Sequence, residues 1–375
     1  MSDKTGIEWT DATWNPFAGC SIVSPGCTNC YAMTMAARIE RMGTAPHYAG
    51  LTQPSKAGPV WSGKLALAGE RQMTQPLRWT SPRKIFVNSM SDLFHEAAPD
   101  DWIDRVFAIM ALCPQHTFQI LTKRPERMRA YIKGKKFAVP ILGALPLERV
   151  HLEAAAHMEG DGGIWDILKE AGNVYSLYCS VPWPLPNVWL GVSTERQQEA
   201  EERIPILLDT PAAVRFISAE PLLGPLDLSA LPLAGANTGI GQRKPVGDFT
   251  LGEWDAFEQG DLTLQPTTDA LRPLTDEIPR IDWVIVGGES GPKARPMHPD
   301  WVRSLRDQCT TAGVPFFFKQ WGEWAPNENT TDRRGGVVDT AHFFDNRWLF
   351  DLYRVGKRFT ARLLDGVEHN AFPQR

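Results

Sequence analysis

Cys20, Cys27 and Cys30, three of the six cysteines in the chain, stand in a C-x6-C-x2-C arrangement just ahead of a helix candidate from Ala32 to Met42. Cysteine thiolates hold zinc or iron-sulfur clusters, and Gly19, Pro25 and Gly26 give the loop the turns it needs to wrap an inorganic centre. A structural zinc site normally closes with four ligands, so a zinc knot would need a distant histidine such as His47 or His95. A [4Fe-4S] cluster on three thiolates instead leaves one iron open to an exogenous ligand. Cys113, Cys179 and Cys309 each stand alone in apolar or helical settings and read as core residues.

A second set of reactive side chains recurs where short apolar runs end. Lys84 to Asn88 leads into Ser91 and Asp92, Phe118 to Leu121 into Lys123 and Arg124, and Val188 to Val192 into Ser193 and Glu195. Val214 to Ile217 leads into Ser218 and Glu220, Trp283 to Val286 into Glu289, and Phe316 to Phe318 into Lys319. Glu220 and Glu289 suit either proton transfer or reading a base edge. Capping the first turn of a following helix is the structural alternative. The Gly287 to Gly291 segment lacks the lysine and the spacing of a phosphate-binding loop.

The elements that must position these residues follow from the same runs. Each is short, β-branched or aromatic and apolar almost without alternation, which suits a strand buried on both faces of a parallel sheet. Helical periodicity between them, over Asp101 to Leu112, Glu195 to Leu208 and Asp300 to Ala312, gives repeated βα units. A short strand before Cys20 joins the set. Polar residues at every C-terminal strand end favour a partial or complete parallel βα barrel, where those ends share one face, over an open doubly wound sheet. Two long gaps place insertions at about 133–187, with a helix candidate at Ile164 to Ala171, and at about 226–280, which reads as loop. The expected organisation is a barrel over 1–324 and a C-terminal extension over 325–375 packed on it. The net charge of -5 argues against a generic nucleic-acid footprint and leaves only a local basic patch. No apolar run approaches the ~18 residues of a membrane span, and so few cysteines do not make a disulfide scaffold, so a cytoplasmic, non-membrane protein is expected.

The chain resembles the phage-associated radical-SAM-like proteins with a three-cysteine motif, which are similar in arrangement to spore photoproduct lyase. The resemblance is carried by IEWTDATWNP (Ile7 to Pro16), the cysteine loop ending in CYA, NSMSDLF (Asn88 to Phe94) and LTKRP (Leu121 to Pro125). It continues through GVSTE (Gly191 to Glu195), SAEPLLG (Ser218 to Gly224), GGESG (Gly287 to Gly291), FKQWG (Phe318 to Gly322) and LLDG (Leu363 to Gly366). It implies a barrel of radical-SAM type, a [4Fe-4S] cluster on Cys20, Cys27 and Cys30, and S-adenosylmethionine (SAM) on the open iron. The first gap of six residues, with Asn29 before the last cysteine, differs from the commoner C-x3-C-x2-C pattern. With SAM bound, Lys123 or Arg124 would pair its carboxylate, and Ser91, Asp92, Ser193 and Glu195 its amino group or ribose, beside Tyr31. Glu220, Glu289 and Lys319 are the catalytic candidates. The function so implied is radical modification or repair of a nucleic acid or nucleotide, with an electron donor and a small partner protein encoded nearby. A non-catalytic zinc- or cluster-binding adaptor or nucleic-acid-binding protein is the alternative, and an acid-base barrel enzyme with a structural zinc a third reading.

Overall fold

The computed structural model describes residues 5–134, 183–233, 242–259, 264–273, 278–330, 339–345 and 348–374. The helix expected at Ile164 to Ala171, Cys179 and most of the first insertion lie outside them. The chain divides into two compact units. One comprises Met1–Ile22, Ala32–Leu190 and Thr210–Ala213, the other Val23–Tyr31, Gly191–Asp209 and Val214–Arg375.

In the first unit, strands β1 (Ala12–Trp14), β2 (Lys84–Val87) and β3 (Thr117–Thr122) pair in parallel, with Ala12 opposite Ile85 and Ile85 opposite Phe118. Strand β4 (Val188–Ser193) begins here. Trp14, Ile85, Phe118 and Ile120 are fully buried, and the Trp14 and Phe118 rings lie 5.9 Å apart. Helix α1 (Tyr31–Met42) follows the cysteine loop, and α2 (Asp100–Ala111) buries Ile103, Val106, Phe107 and Met110 along one face. Helix α3 (Pro125–Ile132) starts on a proline, whose fixed φ and missing N–H suit the first helical position.

In the second unit, α4 (Gln197–Leu208) follows β4, and β5 (Val214–Ala219), β6 (Trp283–Gly287) and β7 (Phe316–Gln320) pair in parallel. Every residue of β6 is buried, as an unalternating apolar run requires. Between β6 and β7, α5 (Pro299–Ala312) is capped by His298, whose Nδ1 accepts the Asp300 N–H at 3.1 Å, and ends at Gly313 in the left-handed region, φ 67°. The insertion read as loop contains a three-stranded sheet of Leu231–Pro232, Leu264–Thr268 and Gln242–Pro245. It also carries a helix, Leu251–Glu258, closed at its start by a Thr250/Glu253 capping box. Local capping and the Phe249–Trp254 ring contact (4.9 Å) order a segment whose glycine and proline content suggests coil.

The seven long-range strands are joined in chain order, β1-β2-β3-β4-β5-β6-β7, all parallel. A doubly wound sheet reverses its strand order at a switch point, and this order has no reversal, so the partial βα barrel is the matching architecture. The outer edge of β7 is covered by the C-terminal segment. Phe318 N–H donates to His369 O at 2.9 Å, Phe317 bridges Asn370, and the Trp283 indole donates to Ala371 O at 2.8 Å. Ahead of that segment, Trp324–Pro326, Trp348–Arg354 and Asp339–Asp345 form a separate antiparallel sheet. Among the described residues no helix is long and apolar enough to cross a membrane.

Candidate functional site

The segment leading to Cys20 is tied to the chain beyond β2. Gly19 N–H donates to Met90 O at 3.1 Å, Gly19 bridges Ser91, and Ser91 Oγ donates to Phe17 O at 3.1 Å. A side chain at Gly19, φ 102°, would strike Lys64 O, so glycine is required there. Asp92 next to it is buried, and both its oxygens are occupied. Oδ1 accepts from Thr122 Oγ1 at 2.7 Å and the Phe94 N–H at 3.0 Å. Oδ2 accepts from the Lys123 N–H at 3.0 Å and Arg124 Nη1 at 2.9 Å.

Arg124, with only 5% of its side chain exposed, is the hub of this cluster. Its Nε donates to both oxygens of Glu96 at 2.8 Å, its Nη2 to Ser21 Oγ at 2.7 Å, and its Nη1 lies 3.8 Å from Cys20 Sγ. Burial works against the charged guanidinium, but Asp92, Cys20 and Glu96 outweigh it and hold its pKa above the ordinary arginine value. His95 Nδ1 accepts the Ala97 N–H at 3.1 Å, which leaves Nε2 to donate to Ser21 Oγ at 2.9 Å. Both ring nitrogens are therefore engaged, and burial followed by Arg124 keeps His95 below its usual pKa despite Glu96 and Asp92.

The loop carrying Cys27 and Cys30 is held by the carboxylates that follow β4 and β6. Glu195 is fully buried. Its Oε2 accepts from Arg203 Nη1 at 2.9 Å, and its Oε1 from Ser24 Oγ at 2.7 Å, while Ser24 Oγ lies 3.9 Å from Cys27 Sγ. Arg203 Nη1 also donates to Ser193 O at 2.8 Å. Gly26 packs so closely that a Cβ there would stand 2.2 Å from Glu195 Oε1. Glu289 receives a two-pronged Arg295 contact, Nη2 to Oε1 at 2.6 Å and Nε to Oε2 at 2.9 Å. Asn29 Nδ2 donates to Glu289 Oε2 at 3.1 Å, and Arg295 Nη2 to Pro25 O at 3.0 Å.

The remaining candidates, Glu220 and Lys319, come together beyond β5 and within β7. Lys319 Nζ is 2.9 Å from Glu220 Oε1, and Ser218 Oγ donates to Oε2 at 3.1 Å. Gly287 permits the approach, since a Cβ there would lie 2.6 Å from Glu220 Oε1. Tyr31 at the start of α1 is exposed, and Lys123 is half-buried. Cys113 and Cys309 are core thiols, each pushed by burial up to about 12.

Ser24, Glu96, Arg203 and Arg295 escaped the sequence reading, and Asn29 entered it only as a departure from the commoner motif. The available signal was electrostatic: a carboxylate buried at a strand end needs a cation, and an arginine lies a few residues downstream of both Glu195 and Glu289. Among the described residues no group of three or more histidine, cysteine, aspartate and glutamate side chains is gathered as a ready-made metal site. The donor chemistry nonetheless fits a thiolate-bound centre. None of Cys20, Cys27 and Cys30 is in a disulfide, Cys20 meets a guanidinium, and Cys27 meets a hydroxyl.

No curated protein and no solved structure matches the chain. The profile described as "Protein of unknown function (DUF5131)" matches residues 4–373, nearly the whole length. The chain, with its three-cysteine segment and the buried charges that fix it, belongs to that DUF5131 family.

Proposed function

We propose that the protein is an iron-sulfur, SAM-dependent radical enzyme that modifies or repairs a nucleic acid or nucleotide. The observation that carries this reading is where the strand-end charges go. Asp92 reaches Cys20 through Arg124, Glu195 reaches the loop through Ser24, and Glu289 through Asn29. Burying paired charges costs desolvation, and a fold that keeps several of them on one short segment favours a fixed geometry there over added stability. Cys20, Cys27 and Cys30 would hold a [4Fe-4S] cluster, and three cysteines within eleven glycine- and proline-punctuated residues support that assignment. Such a cluster supplies, when bound, a one-electron donor and an open iron on which SAM is chelated for radical generation.

The chain's own residues divide the remaining work. Asp92 and Glu195 hold the loop, since their oxygens are taken by protein donors, and Glu289 does the same through Arg295 and Asn29. Tyr31, Ser91, Lys123 and Ser193 are assigned to SAM. Glu220 and Lys319, 2.9 Å apart, form a pair able to accept or return a proton at one substrate atom. A reducing cytoplasm keeps the three cysteines out of disulfides, and turnover needs an external electron donor.

Anaerobic reconstitution with iron and sulfide tests the reading. About four irons per chain, lost in Cys27→Ala, are expected; a single tightly held zinc under the same conditions would sink the cluster assignment. Reduction in the presence of SAM and an oligonucleotide should then release 5'-deoxyadenosine. A loaded, reduced protein that releases none, with any nucleotide or oligonucleotide, limits the function to cluster binding.

A further inference from the structure

We infer that Arg124 is a positioning residue for the first cysteine and raises the reduction potential of the cluster which that cysteine ligates; the inference rests on the cluster reading above. The guanidinium has almost no freedom. Nε is fixed on Glu96, Nη2 on Ser21 Oγ, and Nη1 on Asp92 Oδ2 at 2.9 Å. Asp92 is itself fixed by Thr122, Phe94 and Lys123. Held at Nε by Glu96, at Nη2 by Ser21 and at Nη1 by Asp92, the planar fork presents Nη1 to Cys20 Sγ at 3.8 Å.

A cationic N–H donor beside a ligating sulfur withdraws electron density from it. The thiolate then gives less charge to iron, and the reduced, more negative cluster is stabilised. The same contact limits the directions in which the Cys20 sulfur can face, as outer partners do for metal ligands generally. On the other side, the Cys20 Sγ donates to Ser21 O at 3.5 Å.

The test compares reduction midpoints of anaerobically reconstituted wild type, Arg124→Met, Arg124→Lys and Arg127→Met, each titrated with dithionite and followed by visible absorbance and the spin signal of the reduced cluster. Arg124→Met removes charge and donors and should shift the midpoint negative. Arg124→Lys keeps a cation to pair with buried Asp92, so it guards against misfolding, and should shift the midpoint negative by a smaller amount with full iron content. Arg127, whose partners are Asp100 and the Ala98 carbonyl, serves as the unchanged control. Midpoints equal to wild type in iron-replete Arg124→Lys and Arg124→Met overturn the inference alone. A wild type that takes up no iron overturns the cluster reading and this inference with it.

Discussion

His95 shows how a single side chain couples the cysteine segment to solution conditions. Burial, and then the charge of Arg124, hold its pKa below the 6.5 of an ordinary histidine, with Glu96 and Asp92 opposing. The unfolded chain takes up a proton that the folded chain refuses. The stability contributed by neutral His95 is therefore complete above about pH 6.5 and is lost as pH falls through the lower folded value. The urea midpoint should drop between about pH 7.5 and pH 5.5, and should drop less in His95→Gln. Equal drops in both proteins would remove His95 from the account. Its residue type was legible from sequence as a candidate zinc ligand. The two hydrogen bonds that occupy both nitrogens come from residues that only folding brings near, Ser21 among them.

At the scale of elements, the loop carrying Cys27 and Cys30 is held by the carboxylates that follow β4 and β6. Glu195 and Glu289 were recognisable as polar residues closing apolar runs, because a strand buried on both faces must end where charge begins. Their direction was not recognisable, since the same position serves a ligand, a helix cap or a neighbouring loop. Gly26 reports the answer. Alanine there would put a methyl carbon against the Glu195 carboxylate, which cannot retreat while Arg203 and Ser24 hold it. Gly26→Ala should cost about 1–3 kcal/mol and lower iron uptake together. Gly69→Ala, with open space around the added carbon, should do neither. Denaturation and iron content of the two variants decide the matter.

Across the whole molecule, the parallel strand order leaves β7 at an edge, and the C-terminal segment covers it. An uncovered edge would offer unpaired backbone groups to another chain. Phe372 fastens this cover, its ring 4.9 Å from Trp283 and 5.4 Å from Phe317. Phe372→Ala should lower the urea midpoint by an amount equivalent to about 2 kcal/mol and promote aggregation, with iron content per folded chain unchanged. A variant as stable as wild type would show that the backbone pairing alone secures the edge.

The sequence by itself determined the strands, the main helices, the parallel βα class and the segment that carries the three cysteines. Those features rest on local pattern: apolar run length, helical period, and proline and glycine punctuation. Tertiary structure decided which partners the charges take. Arg124 meets Cys20, Arg203 meets Glu195, Lys319 meets Glu220, and the second insertion folds into a sheet and a capped helix. An ion pair is chosen by proximity and burial after the chain has folded, and no periodicity along the sequence encodes it.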